Sequence, residues 1–274
     1  MIILNGKKTA QKILKNVKKE TKVRKLKLGL AVVQVGDNQV SSAYINQKRR
    51  VCENLGIVFG LFNFPESIDE QELKEEVSRI AVNPEYSGII IQLPLPKKFN
   101  TQEILNLIPS EKDVDVLSEA SLGKFYTGNL KIFPPVVYAI STLLKEYKIG
   151  LEAKIILVIG SGRLVGKPLT LWLVSQGATV STVNSKTKDI HFFSKNADII
   201  ISGVGKPNLI TGKMIKKGVV LIDAGTSIES GKLKGDIDFV SVKNKAGYVA
   251  PVPGGVGPMT IACLINNLLK LNNK

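Results

Sequence analysis

One histidine and two cysteines among 274 residues leave little material for the commonest kinds of metal and nucleophile chemistry. Cys52 and Cys263 are far apart, and neither has a second Cys or a His nearby, which excludes a disulfide framework and a recognisable zinc site. Both are expected to be buried apolar residues, and no metal is expected. A histidine base would have to be His191, so acid–base work is expected of other groups. Also missing is any apolar run of the ~18 to 20 residues that a bilayer span requires. Met1 to Gly6, followed by Lys7 and Lys8, carries no apolar stretch ahead of a small-residue cleavage site. The chain therefore reads as a soluble, cytoplasmic protein with no membrane partner. It shows no internal repeat and no low-complexity segment.

Positive charge is what the chain has in excess, formally +15. A basic surface attracts nucleic acid, anionic lipid or acidic metabolites. The densest group, Lys15 to Lys27, alternates with apolar positions as the outer face of a helix does, so a solvated face is expected. No basic block is interleaved with aromatics as a single-strand platform requires, and nucleic acid is not expected as a partner.

The length suggests two α/β domains. Ile13, Leu14 and Val17 give a first helix its apolar side. LGLAVVQV (Leu28 to Val35) is a continuous apolar run suited to a strand covered on both faces. A helix from about Ser41 to Leu55, a strand from Ile57 to Phe64, and a helix opened by the capping spacing of Ser67 and Glu70 follow. GIIIQL (Gly88 to Leu93) is a buried strand stopped by Pro94 and Pro96. This alternation implies a parallel sheet. A helix over Val136 to Tyr147 leads to a second series, with strands at Ile155 to Ile159, Thr179 to Val183, Asp198 to Ser202 and Val219 to Asp223. A last helix, Pro258 to Leu271, has proline in its first turn and an apolar side that must pack on something.

Two places carry chemistry. After the strand IILVIG, Gly160, Gly162 and Gly166 stand where a strand turns into a helix, within a G-x-G-x-x-x-G spacing one residue longer than the common dinucleotide fingerprint. Glycine turns of this kind also serve plain chain geometry. At the end of the next strand, where an NAD enzyme places an acid for the ribose hydroxyls, the residues are Val183, Asn184, Ser185 and Lys186. A hydroxyl beside a cation suits a 2′-phosphate, so NADP is favoured over NAD. In SSAYINQKRRVCENL, Tyr44 and Lys48 are one turn apart on a face that continues through Val51 and Leu55. A partly buried lysine loses preference for its charged form and can trade protons near neutrality, although snorkelling is the commoner fate of a lone lysine. Gln92 ends a buried strand, where open parallel sheets present ligand contacts. Asp113 and Asp115 lie in a loop, where aspartates ordinarily serve as solvated groups or local caps.

SSAYINQK, IQLPLP, EKDVD, VGKP, GDIDF and PVPGGVGPMT (Pro251 to Thr260) occur in one order across nearly the whole chain. Together they resemble the methylenetetrahydrofolate dehydrogenase and methenyltetrahydrofolate cyclohydrolase family. The resemblance implies an N-terminal substrate domain (1–135, with the terminal helix 258–274 returning to it) and a Rossmann-type NADP-binding domain (136–257). It implies a homodimer acting on tetrahydrofolate derivatives in one-carbon metabolism and purine biosynthesis. Methylenetetrahydrofolate would be oxidised with NADP and then hydrolysed to 10-formyltetrahydrofolate. Lys48 would be the acid or base, helped by Tyr44 and positioned by Gln92, with Asp115 anchoring the pterin. Gly160, Ser161, Gly162, Arg163, Val165, Gly166, Ser185, Lys186 and Thr226 would hold the cofactor. Pro251, Pro253, Gly254, Gly255 and Pro258 would contact substrate. A dehydrogenase without the hydrolytic step, and a non-catalytic basic nucleotide- or nucleic-acid-binding protein, are the alternatives. The chain departs from the family at Val116, where glycine is usual, and at Val136 and Val137, which leave a threonine hydroxyl missing. It also departs at Gly160-Ser161-Gly162, with the arginine two places on at Arg163, and at Asn184, where histidine is usual.

Overall fold

The computed structural model describes residues 1–229 and 231–273; residue 274, the end of the expected terminal segment, lies outside them. In chain order the elements are β1 (Ile2–Ile3), α1 (Gly6–Val23), β2 (Gly29–Val35), α2 (Gln39–Leu55), β3 (Val58–Phe64), α3 (Glu70–Val82), β4 (Gly88–Ile91), α4 (Thr101–Asn106), α5 (Glu119–Tyr126) and α6 (Pro135–Glu146). Then come β5 (Ile155–Ile159), α7 (Gly166–Ser175), β6 (Thr179–Val183), α8 (Ile190–Asn196), β7 (Ile199–Ser202), β8 (Val220–Asp223), β9 (Ser227–Glu229), β10 (Lys232–Lys234), α9 (Phe239–Val242), β11 (Tyr248–Ala250) and α10 (Val256–Leu271). They group into two compact units, one of Lys12–Pro135 with Ile261–Lys274, the other of Met1–Gln11 with Val136–Thr260. Among the described residues no helix is long and apolar enough to cross a membrane.

The unit containing Lys12–Pro135 is built on a parallel sheet in the order β3-β2-β4. β2 is buried at every position because both faces are covered. Ala31, Val33 and Val35 pack with Leu73, Val77 and Ile80 of α3 and with Ile104 and Leu105 of α4. Leu30 and Val32 pack with Ile45 and Cys52 of α2 and with Leu264, Ile265 and Leu268 of α10. Each such Val, Leu or Ile side chain contributes about 1.5–3 kcal/mol through burial. The terminal helix thus buries its apolar side in this unit, and it opens two residues before Pro258, which falls in its first turn as expected. Lys15, Lys18, Lys19 and Lys22 are exposed, as the solvated-face reading requires. One helix start differs from the expected one. Asp69, not Ser67, caps α3 and accepts from Gln71 N at 2.8 Å. Burial of Ile68 anchors the chain there and puts the carboxylate at the cap position.

The unit containing Val136–Thr260 carries a six-stranded parallel sheet in the order β1-β11-β8-β7-β5-β6. Leu157, Ile159, Ile200 and Leu221 form a core under it with Val183 and Val249. The strand order reverses around β5, so the crevice at the carboxyl ends of β5, β6 and β7 is where such a sheet binds a ligand. The first residues of the chain group with this unit because β1 pairs with β11, Ile2 opposite Tyr248 and Ile3 opposite Val249. The expected 1–135 range placed them with the other half; an edge strand of two residues gives no periodicity to detect.

Candidate functional site

In the first unit, the α2 helix is opened by Asn38, whose side chain accepts from Ser41 N at 3.1 Å, and is closed by Gly56 at φ 69. It carries Lys48 on the side turned to the sheet, where only 8% of the residue is exposed. β4 stops at Ile91 and leaves Gln92 just past its carboxyl end, still held by Gln92 N donating to Val33 O at 2.8 Å. Lys48 Nζ donates to Gln92 Oε1 at 2.9 Å, and Gln92 Nε2 donates to Leu93 O at 3.0 Å. The second bond fixes the amide so that its oxygen, not its nitrogen, faces the lysine. Tyr44 is half-buried one turn earlier on the same helix.

Burial lowers the Lys48 ammonium below its ordinary value, against the opposing pull of Asp115. Burial likewise pushes Asp115 up to about 6, with Lys48 working against the shift and Asp113 adding to it. The loop that carries Asp115 is held by its neighbour. Asp113 is 1% exposed and accepts from Leu117 N at 3.0 Å, Ser118 N at 2.9 Å and Ser118 Oγ at 2.7 Å. Val116, next to Asp115, takes φ 58, a left-handed conformation that suits glycine and strains a β-branched residue. Cys52, one turn beyond Lys48, is a buried thiol pushed up to about 12 by burial, so it stays protonated. The arrangement offers an amine whose charged form burial disfavours, an amide that orients it and a nearby carboxylate raised by burial.

In the second unit, β5 ends in a glycine turn. Gly160 takes φ 102 and Gly160 N donates to Val183 O at 2.8 Å. A side chain on Gly166 would stand 1.8 Å from Gly160 O, so the start of α7 closes on the turn only with glycine there. Nothing lies within 4 Å of a side chain built on Gly162, which leaves that backbone open to a phosphate. Val165 precedes α7 without a side-chain cap, leaving the helix end to another acceptor. Ser161 receives a 3.5 Å hydrogen bond from Asn184 Nδ2, and Asn184 Oδ1 accepts from Lys186 N at 3.0 Å. Ser185 and Lys186 are therefore exposed at the tip of a tight turn beside the glycine turn, and Arg163 is exposed on the glycine turn itself.

Thr226 is not part of that pair of turns. It follows β8, on the far side of β7 from β5, and its carbonyl lies 3.2 Å from where a side chain on Gly205 would be. Pro251, Pro253, Gly254, Gly255 and Pro258 belong to the same unit. Gly254 O accepts from Gly6 N at 3.0 Å, and a side chain on Gly6 would strike Gly255 O at 1.8 Å, so this run also seats the start of α1. His191 lies on α8 and on none of these loops. Among the described residues no group of three His, Cys, Asp or Glu side chains converges as a metal site. Sequence reasoning missed the tight acceptor role of Asp113 and the buried aspartates Asp223 and Asp236. Cys52 was within its reach, one turn after Lys48.

Residues 134–274 match the family profile described as Tetrahydrofolate dehydrogenase/cyclohydrolase, NAD(P)-binding domain, and residues 4–115 match that family's catalytic domain. A bifunctional protein FolD of Nautilia profundicola is 44% identical over 274 residues, covering 98% of this chain and 96% of the relative. The crystal structure of a bifunctional FolD methylenetetrahydrofolate dehydrogenase/cyclohydrolase from Campylobacter jejuni is 38% identical with a TM-score of 0.95, covering 100% of this chain and 99% of that one. The Trypanosoma brucei FolD enzyme, solved with NADP cofactor and an inhibitor, is 30% identical with a TM-score of 0.93, covering 99% of this chain and 97% of that one.

Proposed function

Because the chain belongs to the tetrahydrofolate dehydrogenase/cyclohydrolase family, we infer that it oxidises methylenetetrahydrofolate to methenyltetrahydrofolate with NADP and hydrolyses the product to 10-formyltetrahydrofolate. The observation that carries this reading is the buried Lys48 amine, bonded to Gln92 and with its charged form disfavoured by burial. Hydride transfer from a methylene bridge needs placement more than a strong base, so the scarcity of histidine is no obstacle. Hydrolysis does need proton traffic. As water adds to the methenyl carbon, Lys48 takes its proton, and the same amine returns a proton to the ring nitrogen released when the carbon–nitrogen bond opens. Gln92 holds Nζ in line for both transfers, Tyr44 contributes a hydroxyl on the same helix face, and Asp115 accepts from the pterin's N–H groups.

NADP, when bound, supplies the hydride acceptor. The residues present fit it. Gly160, Ser161, Gly162, Arg163, Val165 and Gly166 form an open glycine turn at an uncapped helix end, and Ser185 with Lys186 stands where a 2′-phosphate requires donors and no acid. Thr226, on the loop after β8, would approach the cofactor from the far side of β7. Tetrahydrofolate derivatives are the partners, and we place the protein in the cytoplasm as a homodimer feeding one-carbon units to purine biosynthesis.

The test is to mix the protein with methylenetetrahydrofolate and either NADP or NAD and follow methenyl and formyl products by absorbance. Methenyl product is expected with NADP and is consumed faster than in buffer alone. Accumulation of methenyl product that decays only at the buffer rate establishes a dehydrogenase without the second step. Turnover with NAD alone overturns the assignment of Ser185 and Lys186.

A further inference from the structure

GDIDF is shared with the family, yet none of its residues has a ligand role in the reading above. Its Asp236 is 0% exposed, and its partner Asp223, at the end of β8, is 1% exposed. Neither forms an ion pair among the described residues; Asp223 spends its oxygens on backbone amides, and Asp236 on two backbone amides and one hydroxyl. Asp236 Oδ2 accepts from Ser202 Oγ at 2.7 Å and Val204 N at 2.8 Å, and Asp236 Oδ1 accepts from Lys206 N at 2.8 Å. Asp223 accepts from Gly225 N at 3.1 Å, Asp236 N at 3.1 Å and Ile237 N at 2.9 Å. The two acids are interlocked. A side chain on Gly225 would strike the Asp236 carboxylate at 2.2 Å, and one on Gly235 would strike Asp223 Oδ2 at 2.1 Å.

The segment that Asp236 grips, Ser202 to Lys206, runs on from the last residue of β7 and lies against the glycine turn. Gly203 N donates to Ile159 O at 3.0 Å, and a side chain on Gly160 would meet Gly203 O at 3.0 Å. The segment that Asp223 grips through Gly225 runs straight into Thr226. Resting on the assignment of the cofactor to this crevice, we propose that Asp236, seated by Asp223, is the positioning residue for NADP, fixing the loops after β7 and β8 against the glycine turn. It touches no ligand itself. A carboxylate is required because three donors converge on it. An amide would turn an N–H toward one of those donors and push the loop away.

The experiment uses the full chain with Asp236→Asn and, as the milder change, Ser202→Ala. NADP affinity is measured by calorimetric titration, the dehydrogenase by steady-state kinetics, and hydrolysis of methenyltetrahydrofolate without NADP reports on the rest of the protein. Asp236→Asn is expected to raise Kd and KM for NADP about tenfold, with kcat at saturating NADP and the hydrolysis rate near wild type. Ser202→Ala, which removes one donor of three, gives a smaller rise of about twofold and decides the matter should Asp236→Asn fail to fold. An unchanged Kd in a folded variant overturns the proposal alone, as does a parallel loss of NADP affinity and hydrolysis, which marks a general structural role. Absence of NADP binding in the wild-type protein overturns the functional reading and this proposal together.

Discussion

The two units meet their chemical tasks with different parts of the chain. Around β2 and β4 the groups proposed to work are ionisable side chains taken out of water, with Lys48 lowered and Asp115 raised to about 6 by burial. Around β5 and β6 the surface proposed to work is the backbone of a glycine turn, open at Gly162, with Ser185 and Lys186 in solvent. Proton transfer is efficient when a group's affinity for protons lies near the working pH, and burial is how a lysine gets there. A dinucleotide asks instead for close approach to peptide N–H groups and a matching charge. The first site therefore fails when a side chain is removed, and the second fails when one is added.

Lys48→Met gives the largest effect. Hydrolysis of methenyltetrahydrofolate is expected to fall roughly 10²- to 10⁴-fold, the usual contribution of a placed acid or base, while titrated NADP affinity is unchanged. Undiminished hydrolysis would remove the lysine from the mechanism and dissolve the contrast between the units. The mirror experiment adds a single methyl group. In Gly166→Ala the new carbon must escape an oxygen 1.8 Å away, so α7 shifts off the glycine turn. A loss of about 1–3 kcal/mol in denaturant-measured stability and at least about a tenfold weaker KM for NADP are expected, with hydrolysis preserved. Equal damage to both activities would show that the units are not separable.

What could be read beforehand follows the same division between local and distant causes. β5 and β6 emerged with their bounds intact, since an apolar run closed by Gly160 and a β-branched run closed by Asn184 are visible within a few residues. The Tyr44–Lys48 face was equally plain, because helical spacing is local. β1 and β11 were not foreseen, since Ile2 is a strand only by virtue of Tyr248. The same holds for Asp223 and Asp236: their shared work depends on β7, a segment some distance back along the chain, and nothing in GDIDF states which amides it will hold. The spacing of Ser67 and Glu70 pointed away from the observed cap, Asp69, because a capping spacing carries no information on whether Ile68 is buried. Val116 takes a φ of 58, a conformation that glycine adopts without strain.

Smaller changes sharpen the contrast. Lys186→Ala removes an exposed cation from the turn beside the glycines, and solvent limits what that cation is worth. An increase in KM for NADP of about three- to tenfold, corresponding to roughly 0.7–1.4 kcal/mol, is expected with no change in KM for NAD. An equal change for the two coenzymes would mean that Lys186 serves the turn itself and does not read the 2′-phosphate.

The finest test alters the charge beside the amine, at the cost of the Gln92 Nε2 donation to Leu93 O. Gln92→Glu keeps the acceptor that faces Lys48 Nζ at 2.9 Å but makes it anionic. Burial disfavours the ammonium at present, and a carboxylate in contact favours it, so the Lys48 pKa rises toward its ordinary value. If hydrolysis uses the neutral amine, the acid limb of its pH–rate profile moves to higher pH and the rate near neutrality drops, recovering in alkali. If hydrolysis uses the ammonium, the alkaline limb moves in the same direction. The sign is thus common to both proton roles, and only the limb that moves tells them apart. A profile that stays fixed or shifts toward acid would place the proton step on a group other than Lys48, while the dehydrogenase profile, which depends on placement, is expected to stay where it was.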